Sequence, residues 1–186
     1  MRIISGTFRG KKILEPIDIK TRPLKDLTKE SIFNIIIHSN KFEINLKKAN
    51  ILDLFSGVGS FGLECLSRGV KRVTFVENYK KVLPILKKNL ENLRITDNYK
   101  ILEKDIYKEN IFINFKNKLD IIFMDPPYKD KNLNKIFENI KNSKILKDNG
   151  FIILHRHKNE KDIFFENFQV IEEKKYGISK IIFIIN

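Results

Sequence analysis

The chain has one cysteine, Cys65, no tryptophan, and only His38, His155 and His157 as imidazoles. A lone thiol excludes an internal disulfide and a thiolate metal cluster, and scattered histidines are a poor basis for a structural metal, so none is expected. Cys65 itself reads as a small core residue. Long apolar runs are also missing. Nothing approaches the ~18 consecutive apolar residues of a membrane span. The start, MRIISGTFRGKK, has no secretory apolar core, so cytoplasm is the expected location. With only 5 prolines and 8 glycines, no low-complexity linker or internal repeat divides the 186 residues. One domain with a short appendage is expected.

Positive charge, by contrast, is abundant. Lysine and arginine number 36 against 23 acidic residues, a net +13 with an isoelectric point near 9.7. Such an excess suits a polyanion, most often nucleic acid. The same lysines in a chain rich in Lys, Ile and Asn are also compatible with a plain solvated surface.

From residue 49 onward, short apolar runs alternate with amphipathic stretches. ANILDLF (49–55), KRVTFVE (71–77), YKILEKD (99–105), LDIIFMD (119–125) and GFIILHR (150–156) read as strands. FGLECLSRG reads as a helix ending on Gly69, a longer helix runs from Tyr79 to about Leu93 with Pro84 in its first turns, and LNKIFENIKNS is a third. FQVIEEKKY and SKIIFII close the chain as a hairpin around Gly177. Strand–helix alternation with near-continuous apolar strands predicts an α/β fold: a mostly parallel seven-stranded sheet with a C-terminal antiparallel hairpin. The first residues differ. RIISGTFRGKKIL predicts a small β-hairpin, and a helix follows from about Asp26 to Ile37 with Asp26 as N-cap.

GVGSFG (57–62) follows a strand and opens a helix, where glycines allow a sharp turn and close approach of a nucleotide-like ligand. Glu77, ending the second strand, suits the hydroxyls of a ribose, and Asp105, ending the third, suits an adenine amino group. A dinucleotide and S-adenosylmethionine both fit that much. Asp53 favours the latter: a pyrophosphate turn wants bare N–H groups, whereas an amino acid ammonium and a sulfonium welcome an acid. The order Asp53-x-Phe55-x-Gly57-x-Gly59 therefore marks a donor site.

DIIFMDPPYK (120–129) then acquires a purpose. The exocyclic amino group of a base is a poor nucleophile because its lone pair is delocalised into the ring. Asp125 and the Pro126 carbonyl would hold its two N–H bonds and turn the lone pair toward the donor methyl. Pro126 and Pro127 fix the direction of that carbonyl. Tyr128 offers a ring for the flipped base, a stacking contact worth roughly 1–3 kcal/mol.

RIISGTFRGKKI, RPLKDLTKESIFNII, LDLFSGVGSFGLECLSRG, VTFVE, DIIFMDPPYK and KKYGIS together resemble the small bacterial methyltransferases that modify guanine N2 in 16S ribosomal RNA. The resemblance covers nearly the whole chain. It implies a Rossmann-like class I methyltransferase fold with S-adenosylmethionine as donor: its methionine end by Asp53, Phe55, Gly57 and Gly59, its ribose by Glu77 and its adenine near Asp105. It further implies an RNA-holding extension over residues 1–45, a catalytic domain over 46–186, and 16S ribosomal RNA or a small-subunit (30S) assembly intermediate as partner. A monomer without membrane or metal partners is expected. Arg9, Lys11, Lys12 and Arg22 are the expected phosphate contacts. The basic stretch HRH (155–157) stands where the family more often has an acid, and is expected to be an added phosphate contact or plain surface. DPPY alone does not name the base, so an adenine-N6 methyltransferase is an alternative. A dinucleotide-dependent oxidoreductase and a non-catalytic RNA-binding protein are further ones.

Overall fold

The computed structural model describes residues 1–16, 18, 24–128, 130–162, 164 and 167–186. Strands β1 (Asn50–Leu54), β2 (Arg72–Val76), β3 (Tyr99–Leu102), β4 (Leu119–Met124), β5 (Leu146–His157), β6 (Gln169–Tyr176) and β7 (Ser179–Ile185) form a 7-stranded sheet in the order β3-β2-β1-β4-β5-β7-β6. β1 to β5 are parallel, and β7 enters antiparallel between β5 and β6. The order reverses on either side of β1, which opens a crevice at the carboxyl ends of β1 and β4, the place where α/β folds bind ligands.

The expected strands are all present; β1 to β4 end earlier than expected, whereas β5 is longer at both ends. β3 stops at Leu102, so Asp105 lies in the turn beyond it. The expected helix from Tyr79 to about Leu93 spans Leu83–Asn92 and takes Pro84 in its first turn, where the missing N–H costs nothing. The segment from Tyr79 to Val82 is a turn before it. Gly177 has φ 58°, as the tight β6–β7 turn requires.

Both faces of the sheet are apolar, as buried parallel strands demand. One face packs on helices α1 (Asp26–His38), α2 (Ser60–Ser67) and α3 (Leu83–Asn92) through Phe33, Phe61, Leu63, Leu86 and Leu90. The rings of Phe61 and Phe123 stack at 4.0 Å. The other face packs on α4 (Leu133–Ser143) and a short turn at Ile111–Asn114. Cys65 is fully buried in the first core.

The N-terminal residues share that first core through Ile3, Ile13, Leu24, Ile32 and Phe33. Their hairpin is minimal: one antiparallel bridge, Arg2–Lys12, closed by Ile3 N–H to Lys11 O and Ile13 N–H to Met1 O. The helix that follows begins with Asp26 as its first residue and Lys25 at the cap, with no side-chain cap bond, so the expected Asp26 N-cap is corrected. The Asp26 carboxylate instead accepts weakly from Arg2 N–H at 3.4 Å and lies 3.7 Å from Lys29 Nζ. Glu64 on α2 secures the extension more firmly. Its two oxygens accept from Ile4 N–H (2.8 Å), Ser5 N–H (2.9 Å) and Arg68 Nε (2.9 Å).

Candidate active site

The crevice residues come from four strand ends. β1 delivers Asp53 and then turns sharply, with Phe55, Gly57 and Gly59 at φ 58°, 54° and 87°. Left-handed backbone of this kind suits glycine and strains Phe55. Gly59 caps α2, and a Cβ there would lie 2.5 Å from Leu86 Cδ1 of α3. Its want of a side chain thus serves helix packing as well as the turn.

Asp53 is 1% exposed. Its Oδ2 accepts from Gly62 N–H at 3.0 Å, while Oδ1 is buried without a hydrogen-bond partner among the described residues. Burial pushes its carboxyl well above the ordinary range. The Gly62 bond opposes that shift, and the nearby Asp125 and Glu77 charges add to it. Three carboxylates from β1, β2 and β4 therefore converge on one crevice.

Glu77 follows β2. Its Oε2 accepts from Gly57 N–H (2.8 Å), and its Oε1 accepts from Asn78 N–H (2.9 Å) and Tyr79 N–H (2.8 Å). The carboxylate thus props the glycine turn. Oε2, with one bond accepted, keeps a second lone pair for a ligand hydroxyl, whereas Oε1 already accepts two. Asp105 accepts from Tyr107 N–H at 3.0 Å, and the Tyr107 ring lies 5.9 Å from that of Phe55.

At the end of β4, Asp125 Oδ1 lies 2.8 Å from Nδ1 of His155 on the adjacent β5. An ionised carboxylate only accepts, so the imidazole donates from Nδ1. His155 Nε2 is buried without a hydrogen-bond partner among the described residues. Pro126 is buried and Pro127 is exposed. The Tyr128 ring meets His155 and His157 edge-on at 5.9 and 5.3 Å, and its hydroxyl shares a hydrogen bond with Ser179 Oγ at 3.0 Å.

Arg156, 2% exposed, is the second surprise of this strand. It donates from Nη1 to Pro127 O (3.1 Å), from Nη2 to Asp130 O (3.0 Å) and from Nε to Asp162 Oδ1 (2.9 Å). Asp130 also accepts from the Tyr107 hydroxyl, whose pKa is pushed upward by burial first and by that acceptor second. The expectation that HRH is a phosphate contact or plain surface is therefore corrected for His155 and Arg156. β5 runs farther than predicted, and its antiparallel pairing with β7 covers both side chains. His155, Arg156, Tyr107 and Asp130 were missed as site residues. For His155 and Arg156 the one signal was position, since they continue an apolar strand without a break; Tyr107 and Asp130 lie outside the strands and helices and carried none.

Arg9, Lys11 and Lys12 are exposed on the N-terminal loop. Arg22 lies outside the described residues. Among the described residues no group of side chains could hold a metal ion, and no helix is long and apolar enough to cross a membrane.

The strand order and the crevice at its switch point define a Rossmann-like class I methyltransferase fold. The chain belongs to the family described as conserved hypothetical protein 95, whose profile matches residues 1–185. It is 31% identical over 183 residues to the ribosomal RNA small subunit methyltransferase D of Haemophilus influenzae, covering 96% of this chain and 90% of that one. A candidate methyltransferase of Escherichia coli superposes with a TM-score of 0.77 at 27% identity, over 99% of this chain and 96% of that one. A candidate S-adenosylmethionine-dependent methyltransferase of Streptococcus mutans shares the fold alone, with a TM-score of 0.63 at 16% identity over 84% of this chain and 48% of that one.

Proposed function

We propose that this protein methylates the exocyclic N2 amino group of a guanine in 16S ribosomal RNA, with S-adenosylmethionine as donor. One observation carries the donor assignment: a buried carboxylate with an orphan oxygen, Asp53 Oδ1, in a crevice where Glu77 and Asp125 add negative charge. A dinucleotide pyrophosphate would be repelled there, whereas a cationic ligand neutralises the cluster. Asp53 would take the ammonium side of the donor, the Phe55–Gly59 turn its methionine end, Glu77 its ribose and Asp105 its adenine. S-adenosylmethionine supplies an electrophilic methyl group on a sulfonium.

The chain's own residues prepare the acceptor. Asp125 and the Pro126 carbonyl accept the two N–H bonds of the amino group, which directs the nitrogen lone pair away from the ring plane. A donor held in the crevice would supply its methyl group to that nitrogen, with the carbon–sulfur electron pair leaving on the neutral thioether. Asp125 then takes a proton from the cationic nitrogen. His155 holds Asp125 by one oxygen and leaves the other for the substrate, while Arg156 fixes the Pro127 carbonyl and the turn after it. Tyr128 stacks on the flipped base. Ribosomal RNA is supported by the names of the relatives and by the basic chain, and guanine by the resemblance of the motifs. We assign residues 1–45 to RNA holding and 46–186 to catalysis, in a cytoplasmic monomer acting on free RNA or a 30S assembly intermediate.

Asp125→Ala should abolish methyl transfer while calorimetric donor binding survives; unchanged turnover would refute the clamp. Titration with NADH in place of S-adenosylmethionine should give no heat of binding. Mass-spectrometric mapping of ribosomal RNA from cells with and without the gene should show one N2-methylguanine lost. A methyl group lost from adenine would overturn the base assignment.

A further inference from the structure

A second cavity, of about 540 Å³, lies away from the Asp125 crevice, on the face of β1, β2 and β3 that α4 leaves uncovered. The chain between β3 and β4 has no α-helix, only the turn at Ile111–Asn114, so a groove stays open beside it. Its size falls in the range of small-ligand pockets, about 300–1,000 Å³. It starts at the amino ends of β1 and β2, by Ile51 and Arg72. Ile51 is three residues from Leu54 at the crevice, ~10 Å along the strand at ~3.3 Å per residue.

Three kinds of lining residue meet there. Arg72, Lys100, Lys104 and Lys116 bring positive charge, and Glu109, the one acid lining the cavity among the described residues, is paired with Lys104 at 2.6 Å. Arg72, Lys100 and Lys116 form no ion pair among the described residues. The floor is apolar, with Leu102 and the half-buried ring of Phe115. Asn110 and Asn117 add amides at the rim, although Asn110 Oδ1 already accepts from Phe112 N–H at 3.2 Å. The combination is specific. Unpaired cations attract phosphate, a part-exposed ring offers a stacking surface for an unpaired base, and amides suit base edges. A double helix cannot enter a cavity of this size, whereas a single splayed nucleotide can.

We propose that this groove is a second nucleotide subsite, which takes an unpaired nucleotide of the same RNA near the methylated one. The proposal rests on the reading that the substrate is RNA. In that arrangement the RNA is held at two points, and the groove contributes to affinity and register without touching the reacting atoms.

The test uses the full chain with Lys100→Glu and Lys116→Glu together, and the exposed α4 residue Lys141→Glu as charge control. Affinity for a ribosomal RNA fragment is measured by filter binding, methyl transfer by KM and kcat, and donor affinity by calorimetry. The groove variant should weaken RNA binding and raise KM at least tenfold, with kcat at saturating RNA and donor affinity unchanged. Lys141→Glu should change RNA binding by less than twofold. Equal effects of the groove and control changes would overturn the subsite. A parallel titration of the wild type with GMP, followed by amide NMR shifts over residues 100–117, separates the sources. Shifts with GMP but RNA affinity unaffected by the groove variant would assign the groove to a free nucleotide and overturn the RNA proposal. Absence of methyl transfer to any RNA by the wild type would instead refute the function on which the proposal rests, whatever the GMP result.

Discussion

Asp53 and His155 carry most of the distinctive chemistry of the crevice. Burial raises the Asp53 carboxyl well above its ordinary value near 3.8, so the folded chain binds a proton there more tightly than the unfolded one. Its contribution favours folding most at acid pH and declines as pH rises from the unfolded value through the folded one. Asp53→Asn keeps an acceptor for Gly62 N–H and removes the charge. The free protein should then be more stable at neutral pH, with a higher Tm, while donor binding weakens at least tenfold. Calorimetric scans at pH 5 and 8 check the sign: the gain should be larger at pH 8. His155→Ala frees the Asp125 rotamer, and small misplacements of reacting groups cost up to ~10²-fold. A loss of roughly 10–100-fold in kcat with little change in donor affinity is expected. His155→Asn, which retains a donor near the Nδ1 position, should recover much of it. Asp125, the prolines and the glycine turn were legible in the sequence because their spacing states a chemical need. His155 and Arg156 were not, since whether a charge at a strand end meets solvent or a carboxylate depends on which strands flank it.

The β5–β7 pair decides that outcome. Its antiparallel register sets Arg156 against Lys180 and His157 against Ser179. Adjacent cations on one face repel, and Asp162 answers both, at 2.9 Å from Arg156 Nε and 3.3 Å from Lys180 Nζ. Alternation places Arg156 on the face opposite His155, so one strand reaches the DPPY turn from two sides. Removing one partner of such a buried network typically costs ~3–5 kcal/mol. Arg156→Ala should therefore lower stability by that amount in urea unfolding and reduce kcat as the Pro127 carbonyl is released. Gly6 plays the corresponding part for the extension. Its φ is 84°, and a Cβ would sit 1.9 Å from Ser67 O at the end of α2. That oxygen is backbone and accepts from Thr7 N–H at 2.8 Å, so it has no freedom to retreat. Gly6→Ala should detach the N-terminal loop, seen as faster amide exchange over residues 1–13. Elements and sheet class followed from apolar periodicity, but the minimal hairpin and the Lys25 cap did not, because local alternation says nothing of how few bonds suffice once Glu64 holds the loop.

A net charge of +13 acts over the entire surface, and it need not all be contact. The exposed loop cations Arg9, Lys11 and Lys12 sit on a segment tied by Glu64 to α2, the helix that begins at the glycine turn. A phosphate held on that loop is thus held in a fixed relation to the crevice, which is what presentation of one flipped base requires. Counterion release makes each true contact countable: the slope of log K against log salt falls by about 0.7 per phosphate released from single strands. If the loop is the contact face, Arg9→Ala, Lys11→Ala and Lys12→Ala combined should flatten the slope for a ribosomal RNA fragment by about 2. Removal of an equal number of exposed lysines from α3 and α4 should leave it unchanged. RNA affinity should fall while kcat at saturating RNA stays within twofold, because none of the three reaches Asp125. If both sets flatten the slope equally, the charge is a diffuse field that raises encounter rate, and the loop has no share in placing the base.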